Sequence, residues 1–333
     1  MRRPALVIGL CVFAACGDPV FPASRVDSLR VLAVRAEQPF ARPGETDALE
    51  MLWYDGSPSG PRKVSVAWVA GCNNPPGDLY YECYRPLHAT LDTVSDDDLA
   101  AERASSTVSF GQTYSAVIPA DIISSRPRAP DVYHPYGLSY VFFAACPGTL
   151  YRQRDRMDRF PFACRGAADF VIGYYPIYVY DDVRNANPIL RSVSFDGNAV
   201  GAACALDTEC AGGQACRNGA CGPSVKSCAA ENRDDCPAHV LNPDVDPASV
   251  ELARSAQVAD DRAPTEMLWA QYYATRGDIT KDARIINDPD VGPYASYETG
   301  WRAPAEPGTA KLWVVVHDNR GGTAWAEVDV AVE

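Results

Sequence analysis

The sequence of 333 residues has only 4 histidines and no CxxC pair, so it lacks the usual ligands of a zinc site. The metalloprotease motif HExxH, the P-loop and the dinucleotide motif GxGxxG are also missing. A serine-hydrolase elbow needs serine at the centre of GxSxG, whereas Gly56-Ser57-Pro58-Ser59-Gly60 has proline there. We therefore predict no catalytic residues and no cofactor, and we expect that the protein is not an enzyme.

The sequence also gives little indication of other kinds of metal site. The four histidines stand apart in the chain, as His88, His134, His239 and His317. Each is expected to be a surface or strand residue, not a base or a ligand. Calcium could bind Asp318 and Asn319 together with Asp288 or Asp290, but the loop pattern of a calcium-binding EF-hand is absent. We therefore predict no metal site, with calcium as the weaker alternative.

The charge of the chain limits its partners. The formal net charge is −13 at pH 7, and phosphate groups would be repelled by a surface of this sign. Nucleic acid is thus excluded as an expected partner. The 27 prolines and 24 glycines, with many Val, Thr, Tyr and Trp residues, favour short strands joined by turns. The composition predicts a mostly β protein.

The first residues predict an exported protein. Arg2 and Arg3 precede an apolar run from residue 5 to residue 15, and small residues lead up to Cys16. This run is shorter than the roughly 20 residues that a membrane-spanning helix needs, and it has the layout of a signal peptide. The segment before Cys16 resembles the lipobox of bacterial lipoproteins, which implies cleavage before Cys16 and a lipid anchor on it. Plain secretion is the alternative.

This resemblance also implies a location. Gly17, and not aspartate, follows the cysteine, which by the sorting pattern of enteric lipoproteins implies the outer membrane of the cell envelope. We predict a signal peptide over 1–15 and a lipidated tether over 16–27, because prolines punctuate that stretch. The membrane is then a partner through Cys16.

The rest of the chain predicts two sandwiches in tandem. Alternating strands surround the turn at 56–61, and further strands are predicted over 29–36, 137–146 and 170–180. A polar stretch ends before Pro188, so we place a linker at 183–187 between domains 28–182 and 188–333. Ser95 followed by three aspartates predicts one short helix near 95–103.

The second domain ends in the clearest pattern. Leu312, Val314 and Val316 alternate with other residues, Asp318 to Gly322 turns the chain, and a second alternating run returns. This predicts a β-hairpin with one core-facing side. The alternating strand followed by Asp318-x-x-Gly321 resembles PKD-type and other bacterial Ig-like domains, which implies two Ig-like β-sandwich domains. Weaker strands are predicted over 250–258 and 266–275.

The cysteines predict disulfides in an oxidising compartment. Removing Cys11 and Cys16 from the 12 cysteines leaves ten, an even number. In the first domain three connectivities are possible, and we favour Cys72–Cys83 and Cys146–Cys164 because each closes a short loop. In the second domain fifteen connectivities stay open for Cys204, Cys210, Cys216, Cys221, Cys228 and Cys236. These six lie in an insertion at about 201–237, whose spacing resembles small disulfide-rich modules loosely related to EGF-like repeats.

Two surfaces are candidates for binding. The loop between Cys146 and Cys164 is basic and could bind an anionic group; its arginines are Arg152, Arg154, Arg156 and Arg159. The alternative is a solvated loop whose arginines pair with Asp155 and Asp158. Strand 170–180 places a tyrosine row on one face that could stack on sugar rings or pack against a neighbour; this row is Tyr174, Tyr178 and Tyr180.

These observations favour one function over two others. We predict a non-catalytic envelope lipoprotein that acts as a binding or assembly module, with an envelope protein or a surface glycan as its partner. A surface adhesin or glycan-binding protein is the alternative, and an enzyme with an unrecognised site is the second alternative. The sequence identifies neither the ligand nor the role of the Cys-rich insertion.

Overall fold

The computed structural model describes residues 22–127, 132–217 and 219–333. Within these ranges the chain forms 22 β-strands and two short α-helices, so the prediction of a mostly β protein is confirmed. The predicted signal peptide, Cys16 and the beginning of the predicted tether lie outside the described residues. No helix within the described ranges is long and apolar enough to cross a membrane.

The first half of the chain contains ten of these strands and both helices. The elements are β1 (Leu29–Ala36), β2 (Phe40–Ala41), β3 (Thr46–Asp55), β4 (Ser65–Asn73), α1 (Tyr84–Thr90), α2 (Asp96–Ala100), β5 (Val108–Phe110), β6 (Thr113–Val117), β7 (Tyr136–Cys146), β8 (Thr149–Arg152), β9 (Phe162–Arg165) and β10 (Val171–Tyr180).

Two stacked sheets form the first sandwich. The smaller sheet has the order β1-β3-β6 and the larger sheet the order β2-β10-β7-β4-β5. The strands are antiparallel except for β2, which runs parallel to β10. Buried side chains between the sheets include Met51, Trp68, Val141, Phe143 and Ile177. In immunoglobulin terms β1, β3 and β6 are strands A, B and E, and β4, β7 and β10 are strands C, F and G, so this sandwich is Ig-like.

A helical segment and a hairpin cover the outer face of the larger sheet. Helices α1 and α2 lie between β4 and β5, and the β8–β9 hairpin lies between β7 and β10. Leu87 and Leu99 from the helices pack with Leu150 and Phe162 from the hairpin against this face. Strand β7 is therefore buried on both sides, by the sandwich core and by this cap.

Helix α2 confirms the helix predicted near residues 95–103. The Ser95 hydroxyl oxygen accepts a hydrogen bond from the Asp98 backbone N–H at 3.1 Å, and the Asp98 carboxylate accepts one from the Ser95 N–H. This capping box occupies N–H groups that the first helical turn leaves without partners. The helix is short, and its buried residue Leu99 attaches it to the cap.

The second half contains the remaining strands. They are β11 (Leu190–Phe195), β12 (Asn198–Ala199), β13 (Gln214–Arg217), β14 (Ala220–Val225), β15 (Ala238–Val245), β16 (Leu268–Ala274), β17 (Asp278–Ile279), β18 (Ala283–Asp288), β19 (Gly292–Pro293), β20 (Thr299–Arg302), β21 (Gly308–Asp318) and β22 (Thr323–Val332).

The second sandwich repeats the strand order of the first. One sheet has the order β12-β11-β15-β20-β17, and the other has the order β13-β14-β22-β21-β16-β18-β19. Strands β11, β15 and β20 occupy the A, B and E positions, and β16, β21 and β22 occupy C, F and G. Strand β14 runs parallel to β22, as β2 does to β10. The disulfide-rich insertion therefore lies within the connection from strand A to strand B of an Ig-like sandwich.

The two sandwiches pack directly against each other. Leu32 and Leu52, on the outer face of the β1-β3-β6 sheet, contact Trp313 and Val315 on the outer face of β21. Trp313 is only 1% exposed. The prediction that the β21–β22 hairpin has a single core-facing side is therefore wrong, because the first domain buries its second face.

The predicted tether is shorter than expected. Val26 is fully buried in the interface, and its backbone N–H donates to the Ala274 carbonyl of the second domain at 2.9 Å. Ser24 is buried as well. The prediction of a free tether up to residue 27 is wrong for residues 24–26, because apolar packing holds this stretch against the second sandwich.

The residues predicted as an interdomain linker are also packed. Val183 is buried, and the Asn187 amide donates to the Ala36 carbonyl at 2.8 Å while its oxygen accepts from the Thr323 N–H. These contacts tie the connection to both sandwiches. The segment joins the domains as part of their interface.

One strand prediction is wrong. Within the described residues, the segment 250–258 forms only isolated β-bridges. Two of its backbone N–H groups bond locally, from Arg254 to the Leu252 carbonyl and from Val258 to the Ser255 carbonyl. Its buried residue Ala256 packs against the first sandwich, so the apolar pattern reflects an interdomain contact and not a strand.

Ten cysteines form five disulfides. The structure joins Cys72 to Cys83 and Cys146 to Cys164, in agreement with the pairing favoured from loop length. The insertion pairs Cys204–Cys216, Cys210–Cys221 and Cys228–Cys236, one of the fifteen connectivities that the sequence allows. All five have Cα–Cα distances between 5.4 and 5.8 Å, within the range that a disulfide requires.

Candidate functional site

The outer face of β10 carries the predicted tyrosine row at three different depths. Tyr174 is 40% exposed, Tyr178 is half-buried and Tyr180 is 2% exposed. The ring of Tyr180 packs on Phe40 at a centroid distance of 4.9 Å, so Tyr180 follows the alternative of packing against a neighbour and is not an accessible binding residue. The accessible part of the row is Tyr174, Pro176 and Tyr178, which we call the tyrosine face.

Residues far away in the sequence extend the tyrosine face. Tyr80, which precedes α1, stacks on Tyr174 with ring centroids 4.4 Å apart, and Tyr140 of β7 meets Tyr174 edge-on at 5.3 Å. Tyr81 is exposed beside Tyr80. Sequence reasoning missed these rings, because only the cap brings the segment around residue 80 over β10.

A charged network fixes one side of this aromatic surface. Arg126 forms an ion pair with Asp78 at 2.7 Å, and its guanidinium lies 4.0 Å from the ring centroid of Tyr136. The Tyr136 hydroxyl donates to the same carboxylate at 2.5 Å. Burial acts to raise the pKa of Asp78, but these two partners hold it below the ordinary value. The Tyr136 pKa is raised by burial and by this hydrogen bond. Asp78 is thus a fixed anion that orients its neighbours.

A cleft opens where the tyrosine face meets the second domain. It has a volume of about 330 Å³. The first domain contributes Phe40 and Tyr178, with ring centroids 6.2 Å apart, and the second contributes Gln257 and Asn319. We call this the interdomain cleft. No pattern along the chain indicates it, because its walls come from β2, β10, the segment 250–258 and the β21–β22 turn.

Among the described residues that line the cleft, the one cationic side chain is Arg320, and it is already paired with carboxylates. Arg320 donates to Glu266 and to Glu251, each at 2.8 Å, and its guanidinium lies 5.5 Å from the ring centroid of Phe40. Burial raises the pKa of Glu266, although the Arg320 charge opposes this shift. The Arg320 side chain is itself buried. The cleft therefore presents aromatic rings and amides, with its guanidinium already neutralised.

The basic loop is largely satisfied within the protein. Arg152 is 6% exposed and pairs with Asp92 at 3.0 Å, while also donating to the His88 carbonyl. Arg154 pairs with Asp96 at 2.9 Å. Both contacts join the β8–β9 hairpin to the helical segment. Arg152 is therefore part of the cap and is not available to an external anion.

The other two arginines of the loop are exposed, as Arg154 is. Arg156 pairs with Asp158 at 3.1 Å, as the solvated-loop alternative predicted for that aspartate. Arg159 forms no ion pair with any described residue, and its backbone carbonyl contacts the His88 ring at 3.0 Å. The four arginines do not converge on a single pocket.

The histidines do not come together. His88 is buried on α1, which corrects the expectation of a surface or strand position, because the hairpin covers this helix. His134 contacts Asp182 at 2.7 Å, and His239 on β15 contacts Asp196 at 2.7 Å. Burial lowers the pKa of His317, on β21, to about 4. Each ring has its own separate environment.

The Asp318 carboxylate, a candidate calcium ligand, organises the turn that follows it. It accepts hydrogen bonds from the backbone N–H groups of Arg320 at 2.7 Å and Gly322 at 2.8 Å. A Cβ atom at Gly322 would collide with this carboxylate, which explains the need for glycine there. Asn185 donates to it from the interdomain connection. Local hydrogen bonding thus accounts for the turn residues.

The disulfide-rich insertion forms a separate small unit. The sulfur atoms of Cys204, Cys210 and Cys221 lie within 4.8 Å of one another, the single such cluster of potential metal ligands among the described residues. All three are oxidised in disulfides, and zinc binding requires the thiolate. The unit is attached to the sandwich through the pairing of Ser224 and Val225 with the end of β22.

No protein-family model matches this sequence, and no curated protein matches it. Among solved structures, the chain is similar to the Ig1-2 module of the Drosophila receptor protein tyrosine phosphatase DLAR, at 9% identity and a TM-score of 0.24, over 92% of this chain and 99% of that one. It is also similar to latent PorU from Porphyromonas gingivalis, at 10% identity and a TM-score of 0.20, over 93% of this chain and 24% of that one.

A third similar structure comprises three N-terminal domains of the outer capsid protein Hoc of bacteriophage RB49. The identity is 9% and the TM-score 0.18, over 92% of this chain and 59% of that one. All these TM-scores are low, and the likenesses carry no argument about function. The Ig-like assignment rests on the strand order of the two sandwiches.

Proposed function

We propose that this protein is a non-catalytic binding module of the bacterial cell envelope, anchored by a lipid on Cys16 and recognising its partner through the tyrosine face. The observation that carries the proposal is the open aromatic surface around Tyr174. Tyr80, Tyr81 and Tyr178 extend it, and large aromatic rings dominate the energetics of binding surfaces.

Hydrogen-bonding capacity on this surface supports recognition. The hydroxyls of Tyr136, Tyr140 and Tyr175 are hydrogen-bonded within the protein, whereas no described residue bonds to the hydroxyls of Tyr80, Tyr174 and Tyr178. A tyrosine hydroxyl is protonated at neutral pH and is able to donate, and burial raises the pKa of Tyr178 further. An aromatic ring with an unoccupied hydroxyl offers a partner both apolar area and a polar contact.

The rigidity of the molecule supports the same proposal. Trp313 and Val315 are buried between the two sandwiches, and Arg320 and Asn187 add polar ties between them. A surface that is already ordered loses less conformational entropy when a partner binds. The two Ig-like domains therefore act as one rigid frame for the tyrosine face.

The predicted anchor would hold this frame close to the membrane. Among the described residues, Ser24 is the first that is buried, and it follows Cys16 by eight residues in the sequence. Eight extended residues span at most about 29 Å. A lipid on Cys16 would thus place the first residues of the sandwich within about that distance of the bilayer surface.

Chemical cross-linking in cells, followed by mass spectrometry, tests the proposal. Full-length wild type is compared with Cys16→Ala and with the double variant Tyr81→Ser/Tyr174→Ser. We expect wild type to fractionate with membranes and to capture one dominant envelope component. Capture should fall in the double variant, while Cys16→Ala should become soluble.

Two outcomes would overturn the proposal. Membrane association that persists in Cys16→Ala would refute the lipid anchor. Equal capture by wild type and the double variant would show that recognition does not involve the tyrosine face. A surface variant at Val291, which is exposed on the β18–β19 connection, is the matched control and should behave as wild type.

A further inference from the structure

The interdomain cleft combines rings and amides in a way that the tyrosine face alone does not. Phe40 and Tyr178 form its aromatic side, and Ser255, Gln257 and Asn319 bring polar groups from the second domain. Its volume of about 330 Å³ lies at the small end of the range of ligand pockets. A compact ligand with both apolar and hydroxyl-bearing faces fits this combination.

The polar groups of the cleft are able to donate hydrogen bonds to a ligand. Gln257 is exposed and lines the cleft, so its side-chain amide is accessible to a ligand. The Asn319 oxygen accepts from the Met267 N–H at 3.2 Å, which leaves the amide nitrogen directed to no described partner. Each amide nitrogen carries two donors. Hydroxyl oxygens of a ligand are suitable acceptors for them.

The electrostatics of the cleft oppose an anionic ligand. The Arg320 guanidinium is shared between Glu251 and Glu266, so one positive charge faces two carboxylates. The Asp318 carboxylate is buried beneath the turn and is held by backbone N–H groups. An added negative charge would meet no unoccupied cation among the described lining residues. The charges therefore favour a neutral ligand.

From these observations we infer that the interdomain cleft binds one pyranose ring of a neutral glycan, with Tyr178 as the stacking platform and Gln257 and Asn319 as donors to the sugar hydroxyls. The inference rests on the proposed function, since it specifies the ligand of that binding module. Side chains at alternate positions of a strand lie about 7 Å apart, so Pro176 and Tyr174 continue the platform for the next rings of the glycan.

Binding to defined oligosaccharides tests this inference. The full-length protein, purified in detergent, is titrated with cellohexaose, maltohexaose and chitohexaose, and with a heparin hexasaccharide as the anionic probe. We expect at least one neutral hexasaccharide to bind and the heparin probe not to bind. Gln257→Ala should weaken binding by about tenfold, the effect of about 1.4 kcal/mol.

Two further variants separate binding from folding. Asn319→Asp keeps the acceptor for the Met267 N–H but removes the amide donors, so it should also weaken sugar binding. Tyr178→Ala should weaken binding most, and its far-ultraviolet circular dichroism should match wild type. Val291→Ala is the control, because Val291 is exposed on the β18–β19 connection outside the cleft and should leave the affinity for the hexasaccharide unchanged.

The inference is overturned if none of the neutral hexasaccharides binds, or if they bind with equal affinity to wild type, Gln257→Ala and Tyr178→Ala. It is also overturned if a proline-rich peptide competes for the cleft more strongly than the sugars, since aromatic grooves can take such peptides too. Loss of sugar binding in Tyr81→Ala, with binding retained in Gln257→Ala and Tyr178→Ala, would move the site out of the cleft. The proposed function would survive each result if cell cross-linking still depended on Tyr81 and Tyr174.

Discussion

The ring of Trp313 lies against the ring of Tyr54 across the domain interface, with centroids 4.9 Å apart. Tyr54 belongs to β3 of the first sandwich, and Trp313 belongs to β21 of the second. Leu32 and Leu52 complete the surroundings of Trp313. This contact makes the tandem one packed body, and it gives the interdomain cleft walls of fixed geometry.

Removal of this contact should destabilise both domains together. We expect Trp313→Ala to lower the free energy of unfolding by about 3–5 kcal/mol, because a large buried ring leaves a cavity. Urea denaturation followed by fluorescence measures the change. Trp269→Ala is the matched control, since Trp269 is only partly buried on the same sheet, and it should cost clearly less. Equal effects of the two variants would contradict the interface.

The buried carboxyl of Asp47 should make stability depend on pH. Burial raises its pKa from 3.8 to about 6. Because the folded state holds the proton more tightly, the stability contributed by Asp47 is full below about pH 4 and is lost as the pH rises through 6. Asp47→Asn should therefore be more stable than wild type at pH 7.5 by about 3 kcal/mol, and equal to it near pH 4.

Asp55 provides a control of opposite sign. The hydrogen bonds from Arg62 lower its pKa from 3.8 to about 2. Its contribution is present above about pH 4 and lost as the pH falls through 2, so Asp55→Asn should be less stable than wild type at pH 7.5. The urea midpoints of both variants and of wild type, measured at pH 4 and pH 7.5, give the sign of each stability change. A shift of the same sign for both at pH 7.5 would refute this assignment.

The arginines of the basic loop should differ in their contribution to stability. Arg152→Ala removes a buried guanidinium and leaves Asp92 and the His88 carbonyl without their donor, so it should cost about 2 kcal/mol. Arg156→Ala removes an exposed pair and should change stability by less than about 0.5 kcal/mol. Thermal unfolding of both variants gives the comparison. Similar losses would mean that Arg152 is not integrated into the cap.

The cysteine pairing should be complete in the exported protein. We expect the intact mass after alkylation to show no alkylated thiols when no reductant is added. After reduction, ten thiols should be alkylated, not counting the lipidated Cys16. Peptide mapping should recover the pairs Cys204–Cys216 and Cys210–Cys221. Reactive thiols in the native protein, or a cross-link between Cys204 and Cys210, would contradict the pairing.

Local sequence patterns predict where the individual strands lie better than they predict what packs against each strand. Alternation from Leu312 to Val316 and the short turn that follows are enough to predict the β21–β22 hairpin, because both signals lie within one stretch of chain. The burial of Trp313 depends instead on β1 and β3, which are distant in sequence. Alternation reports one buried face, and it carries no information on what covers the other.

The candidate site illustrates the same limit. The tyrosine row of β10 is predictable from the sequence, since alternate residues share one face of a strand. The burial of Tyr180 and the stacking of Tyr80 on Tyr174 follow from the cap and the interdomain contact. Likewise the ion pair between Arg152 and Asp92 joins a hairpin to a helical segment, which charge patterning along the chain does not reveal.

Recognition through the tyrosine face can be tested by site-specific photo-cross-linking in living cells. A photoreactive amino acid replaces Tyr174 in the full-length protein, and the same replacement at Val291 serves as the reference position. We expect an adduct with a cell-envelope component from position 174 and none from position 291. Adducts of equal yield from both positions, or none from position 174, would contradict a binding role for this face.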